Sequence, residues 1–132
     1  MDIRKAFATD RQAEQDGVWV ALGEGARVKV ARFNNPRHRA VLDRLRRPYR
    51  SLLMAGRDLP DDVAESMTIE AAAEALLLDW DGIEDNGTPL PFSKDTARRL
   101  LADLPDFRDA VAFLSMQAET FRREALEQAA KN

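Results

Sequence analysis

The residues best placed for chemistry lie in the stretch "LDWDGIEDNG", where Asp79, Asp81, Glu84 and Asp85 crowd around Gly82 and Gly87. Such a group could ligate calcium, supply an acid pair, or line a solvated turn. An EF-hand loop needs oxygen ligands at positions 1, 3 and 5, a glycine at 6 and a bidentate glutamate at 12. Counting from Asp79 puts Asp81 at position 3, but Ile83 falls at 5, Glu84 at 6 and Leu90 at 12. Counting from Gly82 puts Gly87 at 6, but position 1 then has no side chain and position 12 is Ser93. No register fits, so the stretch is expected to be a structural turn with mostly exposed carboxylates. As a glycosidase pair, Asp79 and Asp81 lack an aromatic platform apart from Trp80.

Other catalytic sets have little to draw on. His38 is the only histidine and there is no cysteine. Zinc sites, Ser-His-Asp or Cys-His sets and disulfides are therefore poorly served or excluded. His38 sits among arginines and is expected to be a solvated surface side chain. Gly23 and Gly25 fall within a hairpin pattern and no GK[ST] occurs, so no phosphate-cradling loop is expected. The expectation is a protein without catalytic residues, cofactor or metal.

Charge leaves two candidates. Arg37, Arg39, Arg44, Arg46, Arg47, Arg50 and Arg57 form a run diluted by Asp43. It could bind phosphates, as a small nucleic-acid-binding regulator would with this basic segment. Alternatively, it is a helix face that meets acidic segments within the fold or on a protein partner, with Arg46, Arg47 and Arg50 at its centre. The net charge of −3 favours the second reading over nucleic acid. The stripe Phe107, Val111, Leu114 and Phe121 near the end of the chain is the other candidate. It is most simply core, but its Phe121 end could receive a partner helix or a second copy.

These side chains need elements to hold them. With 132 residues, 33% charged and 45% hydrophobic, the chain is expected to form a single domain spanning 1–132. No apolar run approaches the roughly 20 residues of a membrane span, and the start lacks a signal-peptide core. A cytoplasmic location is the default. Residues 1–16 read as an arm or short helix, with Phe7 able to dock it. "GVWVALGEGARVKVARF", residues 17–33, alternates like a β-hairpin around Gly23-Glu24-Gly25.

The rest, 35–130, reads as four to five helices. Asn35-Pro36 is a cap followed by proline at the first helical position, and Pro48 must kink or split the helix that starts there. Pro60 with Asp61 and Asp62 opens a long helix expected to run to Trp80 and to be central, with Trp80 buried at its end. Asp85-Asn86-Gly87 is a tight turn. Ser93 caps a short helix over 94–102, and Pro105 starts a last helix expected to reach Ala129, with Ala118 and Ala125 continuing its stripe. The fold class is α+β, mainly α.

One resemblance spans nearly the whole chain. It is carried by "ATDRQAEQDGVWVALGEGARVKVARFNNPRHR", then "PYRSLLMAG", then "LLLDWDGIEDNGTPLPFSKDTARRLLADLPDFRDAV". In that order and spacing the sequence resembles the tail assembly chaperones of long-tailed bacteriophages and prophages. The resemblance implies a non-enzymatic protein that holds the aggregation-prone tape-measure protein in solution and recruits tail-tube subunits, including the major tail-tube protein. It also implies action in the host cytoplasm and absence from the finished virion. A structural neck or tail subunit of the virion is the rival within the same setting.

Overall fold

The computed structural model describes residues 1–122. Two short helices come first, α1 (Ile3–Phe7) and α2 (Arg11–Asp16). Asp2 and Asp10 cap them, accepting from Lys5 N and from Gln12 N and Ala13 N respectively. Phe7 does not dock this arm: it stays 65% exposed.

The hairpin comes next as β1 (Val18–Gly23) and β2 (Ala26–Val30). Its two-residue loop has positive φ at Glu24 (54°) and Gly25 (78°), the mirror-image turn that matches strand twist. Val28 and Val30 are fully buried while Arg27 beside them is exposed, as a one-sided sheet requires. On the outer face the Arg27 guanidinium lies 4.2 Å from the Trp19 ring.

Helix α3 (Pro36–Arg46) begins at the Asn35 cap, then a 3-10 turn at Arg47–Tyr49 leads into α4 (Arg50–Met54). Pro48 thus splits the stretch, because it cannot donate to the ladder. Gly56, at φ 75°, lies just past the end of α4. Helix α5 (Asp61–Ala75) is central and packs against α3, against later helices, and on the sheet. Its buried residues are Met67 and four alanines, so neighbouring backbones approach closely.

One expectation fails here. The long helix stops at Ala75, and Leu77–Asp81 form a third strand, β3, in the order β1-β2-β3. Leu76–Trp80 has good helix propensity, but β2 would otherwise present an unpaired edge. Strand β3 pairs Val28 with Trp80 and Val30 with Leu77, so all four side chains enter one core. Tertiary pairing overrides local propensity. The switch is sealed by two bonds to backbone carbonyls: Ala31 N donates to Leu76 O (2.8 Å), and Asn35 Nδ2 donates to the helix-terminal Ala75 O (3.1 Å).

Two-residue strands β4 (Glu84–Asp85) and β5 (Thr88–Pro89) flank the Asn86-Gly87 turn, again with positive φ at both positions. Helix α6 (Lys94–Asp103) is capped by Ser93, whose Oγ accepts from Thr96 N (3.0 Å).

The last helix also ends early. Helix α7 runs Pro105–Met116, Gln117 is extended (ψ 118°), and a 3-10 turn covers Ala118–Phe121. No glycine or proline causes the break. Ser115 O instead accepts from Phe33 N (2.8 Å), and Phe121 O accepts from Asp10 N (2.7 Å). These bonds tie the end of α7 to the residue row after β2, and the turn to the N-terminal arm. The expected continuation to Ala129, with Ala125 on its stripe, lies outside the described residues.

Candidate partner-binding surfaces

The acidic stretch is a structural corner. Asp79 Oδ1 accepts from Trp80 N (2.8 Å), Asp81 meets Arg27 at 3.4 Å on the surface, and Glu84 and Asp85 are exposed. Among the described residues no group of three or more His, Asp or Glu is placed to hold a metal ion. Trp80 organises the corner: it is 5% exposed, its Nε1 donates to Leu90 O (2.7 Å), and it stands edge-on to Phe92 with centroids 4.8 Å apart. Its burial matches expectation, but on a strand rather than a helix.

His38 is not a solvated side chain; it is 3% exposed. Asn35 Oδ1 caps the helix by accepting from His38 N, while His38 Nδ1 accepts from Asn34 N, both at 3.0 Å. The ring therefore carries its proton on Nε2, with Phe33 packed 4.7 Å away. Burial, and then the charge of Arg46, hold its pKa below the ordinary histidine value. The signal for this was Asn35 itself. A cap that also bonds a distant helix end pulls the first turn inward.

The arginine run is divided by the helix that carries it. Arg44 turns toward α5 and bonds Glu74 (2.5 and 3.4 Å). That hydrogen bond lowers the Glu74 pKa and raises that of Arg44. Arg39 lines a groove with Phe7, Arg11, Phe33 and Asn34. Arg46, Arg47 and Arg50 converge on a separate hollow of about 610 Å³ beside Asp43, Leu53 and Met54. These three candidates are brought together and stay exposed.

The aromatic candidates do not share an accessible face. Val111 is 2% exposed, Phe107 and Leu114 pack half-buried on the core, and Phe121 is completely buried. The stripe reads most simply as core, with an open Phe121 end as the alternative. The break at Gln117 folds Phe121 inward, beneath Arg32, whose guanidinium carbon lies 5.6 Å from the ring. On α7 the exposed apolar side chains lie outside the stripe: Phe113 (61% exposed) and Met116 (51%), one turn apart. The sequence signal was an aromatic at a position where the stripe calls for a polar residue.

No described helix is long and apolar enough to cross a membrane. Searches among curated proteins and among solved structures return no match. A family model described as YdaY prophage protein matches residues 33–132, from the end of the hairpin through α7 and beyond. With that much of its length matched, the chain belongs to the YdaY prophage protein family.

Proposed function

We propose that this protein is a tail assembly chaperone, acting in the host cytoplasm to keep a tape-measure protein soluble and to bring tail-tube subunits to it. The observation that carries the reading is the exposed pair Phe113 and Met116 on the outer face of α7, in a chain of prophage family. A large aromatic and a methionine one turn apart are suited to an amphipathic helix, and methionine adapts to varied partners. In this reading the protein works by covering apolar stripes, has no chemical step, and leaves before the virion is complete.

Co-expression tests it. A tape-measure chain from the same prophage is expected to be soluble with the wild-type protein and to aggregate without it. Phe113→Asp combined with Met116→Asp is expected to abolish solubilisation while the chaperone stays folded, because both side chains face water. If the wild-type protein neither binds nor solubilises that chain, the proposal fails. Recovery of the protein in stoichiometric amounts from purified particles would assign it instead to the neck or tail.

A further inference from the structure

The hollow formed by Arg46, Arg47 and Arg50 has a composition that points to a ligand. We infer that it is a docking site for an acidic peptide segment carrying an apolar side chain between its carboxylates. Its basis is the chemistry of the hollow alone, independent of the chaperone reading.

The 3-10 turn at Arg47–Tyr49 creates the site. One side of the α3–α4 segment packs toward α5 through Leu42 and Leu45. The opposite side presents three guanidinium groups against a single carboxylate, Asp43. Some arginines of the protein are matched internally, as Arg44 is by Glu74, and Arg98 by Glu70 and Asp95, while others such as Arg37, Arg39 and Arg57 lie apart from this hollow. Among the described residues, no carboxylate forms an ion pair with Arg46, Arg47 or Arg50. Guanidinium groups are weakly hydrated and bind carboxylates in a two-pronged geometry. Three of them side by side without a carboxylate partner among the described residues are complementary to an anionic partner.

Apolar groups in the same hollow narrow the ligand class. Met54 is 80% exposed and Leu53 38%, so the arginines surround a greasy patch. A carboxylate-flanked leucine or methionine satisfies both parts at once. Nucleic acid does not. No aromatic side chain lines the hollow for base stacking. An anionic membrane is disfavoured because α4 has only five residues, Arg50–Met54, and the apolar area needed for interfacial insertion comes from a longer amphipathic face.

The test is fluorescence anisotropy on the full-length protein. The probes are a labelled helical peptide with glutamates one turn apart flanking leucines, its Glu→Gln counterpart, a random DNA duplex, and phosphatidylserine vesicles. The glutamate peptide is expected to bind about tenfold tighter than the glutamine one, the sum of three modest exposed pairs. The preference should shrink as salt rises. It should vanish in the triple variant Arg46→Ser, Arg47→Ser, Arg50→Ser. Met54→Ser should weaken both peptides alike without changing the salt dependence. The wild-type comparison of the two peptides needs no variant, so it decides the matter even if the triple variant misfolds. Equal binding of the two peptides overturns the inference, as does tighter binding of the duplex or vesicles. The co-expression result above is independent, because it reads Phe113 and Met116 and not this hollow.

Discussion

Phe121→Asp separates a core anchor from a docking residue. Phe121 is among the largest side chains with no exposed surface, and it packs in the cluster that contains Val28, Leu77, Trp80 and Leu101. Truncation to alanine at such a site costs about 3 to 5 kcal/mol. Aspartate adds the desolvation of a charge, several kcal/mol more unless it is paired. Arg32, whose guanidinium carbon lies 5.6 Å from the ring, already faces Glu14 at 3.6 Å. Against a typical total of about 5 to 15 kcal/mol, Phe121→Asp should leave little native protein at 25 °C. Phe121→Leu keeps most of the volume and should cost about 1.5 kcal/mol or less. The exposed control, Phe113→Ser, should stay within about 0.5 kcal/mol of wild type. Urea unfolding monitored by circular dichroism gives all four values, with alanine as the intermediate step. If Phe121→Asp unfolds at the wild-type midpoint, the inward fold of residues 118–121 is refuted, and Phe121 becomes available to a partner after all.

The same geometry sets three further outcomes. Trp80→Phe removes the bond to Leu90 O and part of the ring while keeping the edge contact to Phe92, and should cost about 1 to 3 kcal/mol by thermal unfolding. Gly82→Ala should be more damaging than Gly87→Ala. Both glycines have positive φ, but a Cβ at Gly82 would sit 2.5 Å from Gly25 O whereas Gly87 has open space; the difference should be about 1 kcal/mol or more in chemical denaturation. His38 makes stability depend on pH. Its folded pKa lies below the ordinary value near 6.5, so the unfolded chain takes up the proton first as pH falls. Stability present above about pH 6.5 should therefore decline through that value and level off once the folded form also protonates. His38→Asn, which keeps an acceptor for Asn34 N, should flatten this part of the profile.

Local punctuation was legible in the sequence because its causes are local. Asn35 and Ser93 cap their helices, Pro48 splits one, and Asn86-Gly87 turns the chain where their own side chains or φ angles dictate. The hairpin could be read from the alternation that places Val28 and Val30 on one face, and the mainly helical class from apolar spacing. The clustering of Arg46, Arg47 and Arg50 was legible too, since they are neighbours on one short segment.

What the tertiary structure decided was every point at which a distant chain segment competed for backbone hydrogen bonds. Strand β2 took Leu77–Asp81 away from a helix that their propensities favoured. The arm and the segment after β2 took the carbonyls of Phe121 and Ser115 and ended a helix whose periodicity ran on. Asn35 reached Ala75 O and carried His38 into the interior with it. Periodicity records which residues are apolar, not which neighbour will satisfy a backbone group far away along the chain. That is why the stripe runs on past Met116 in the sequence, and why the inward fold of Phe121 and the exposure of Phe113 follow only from the closed chain.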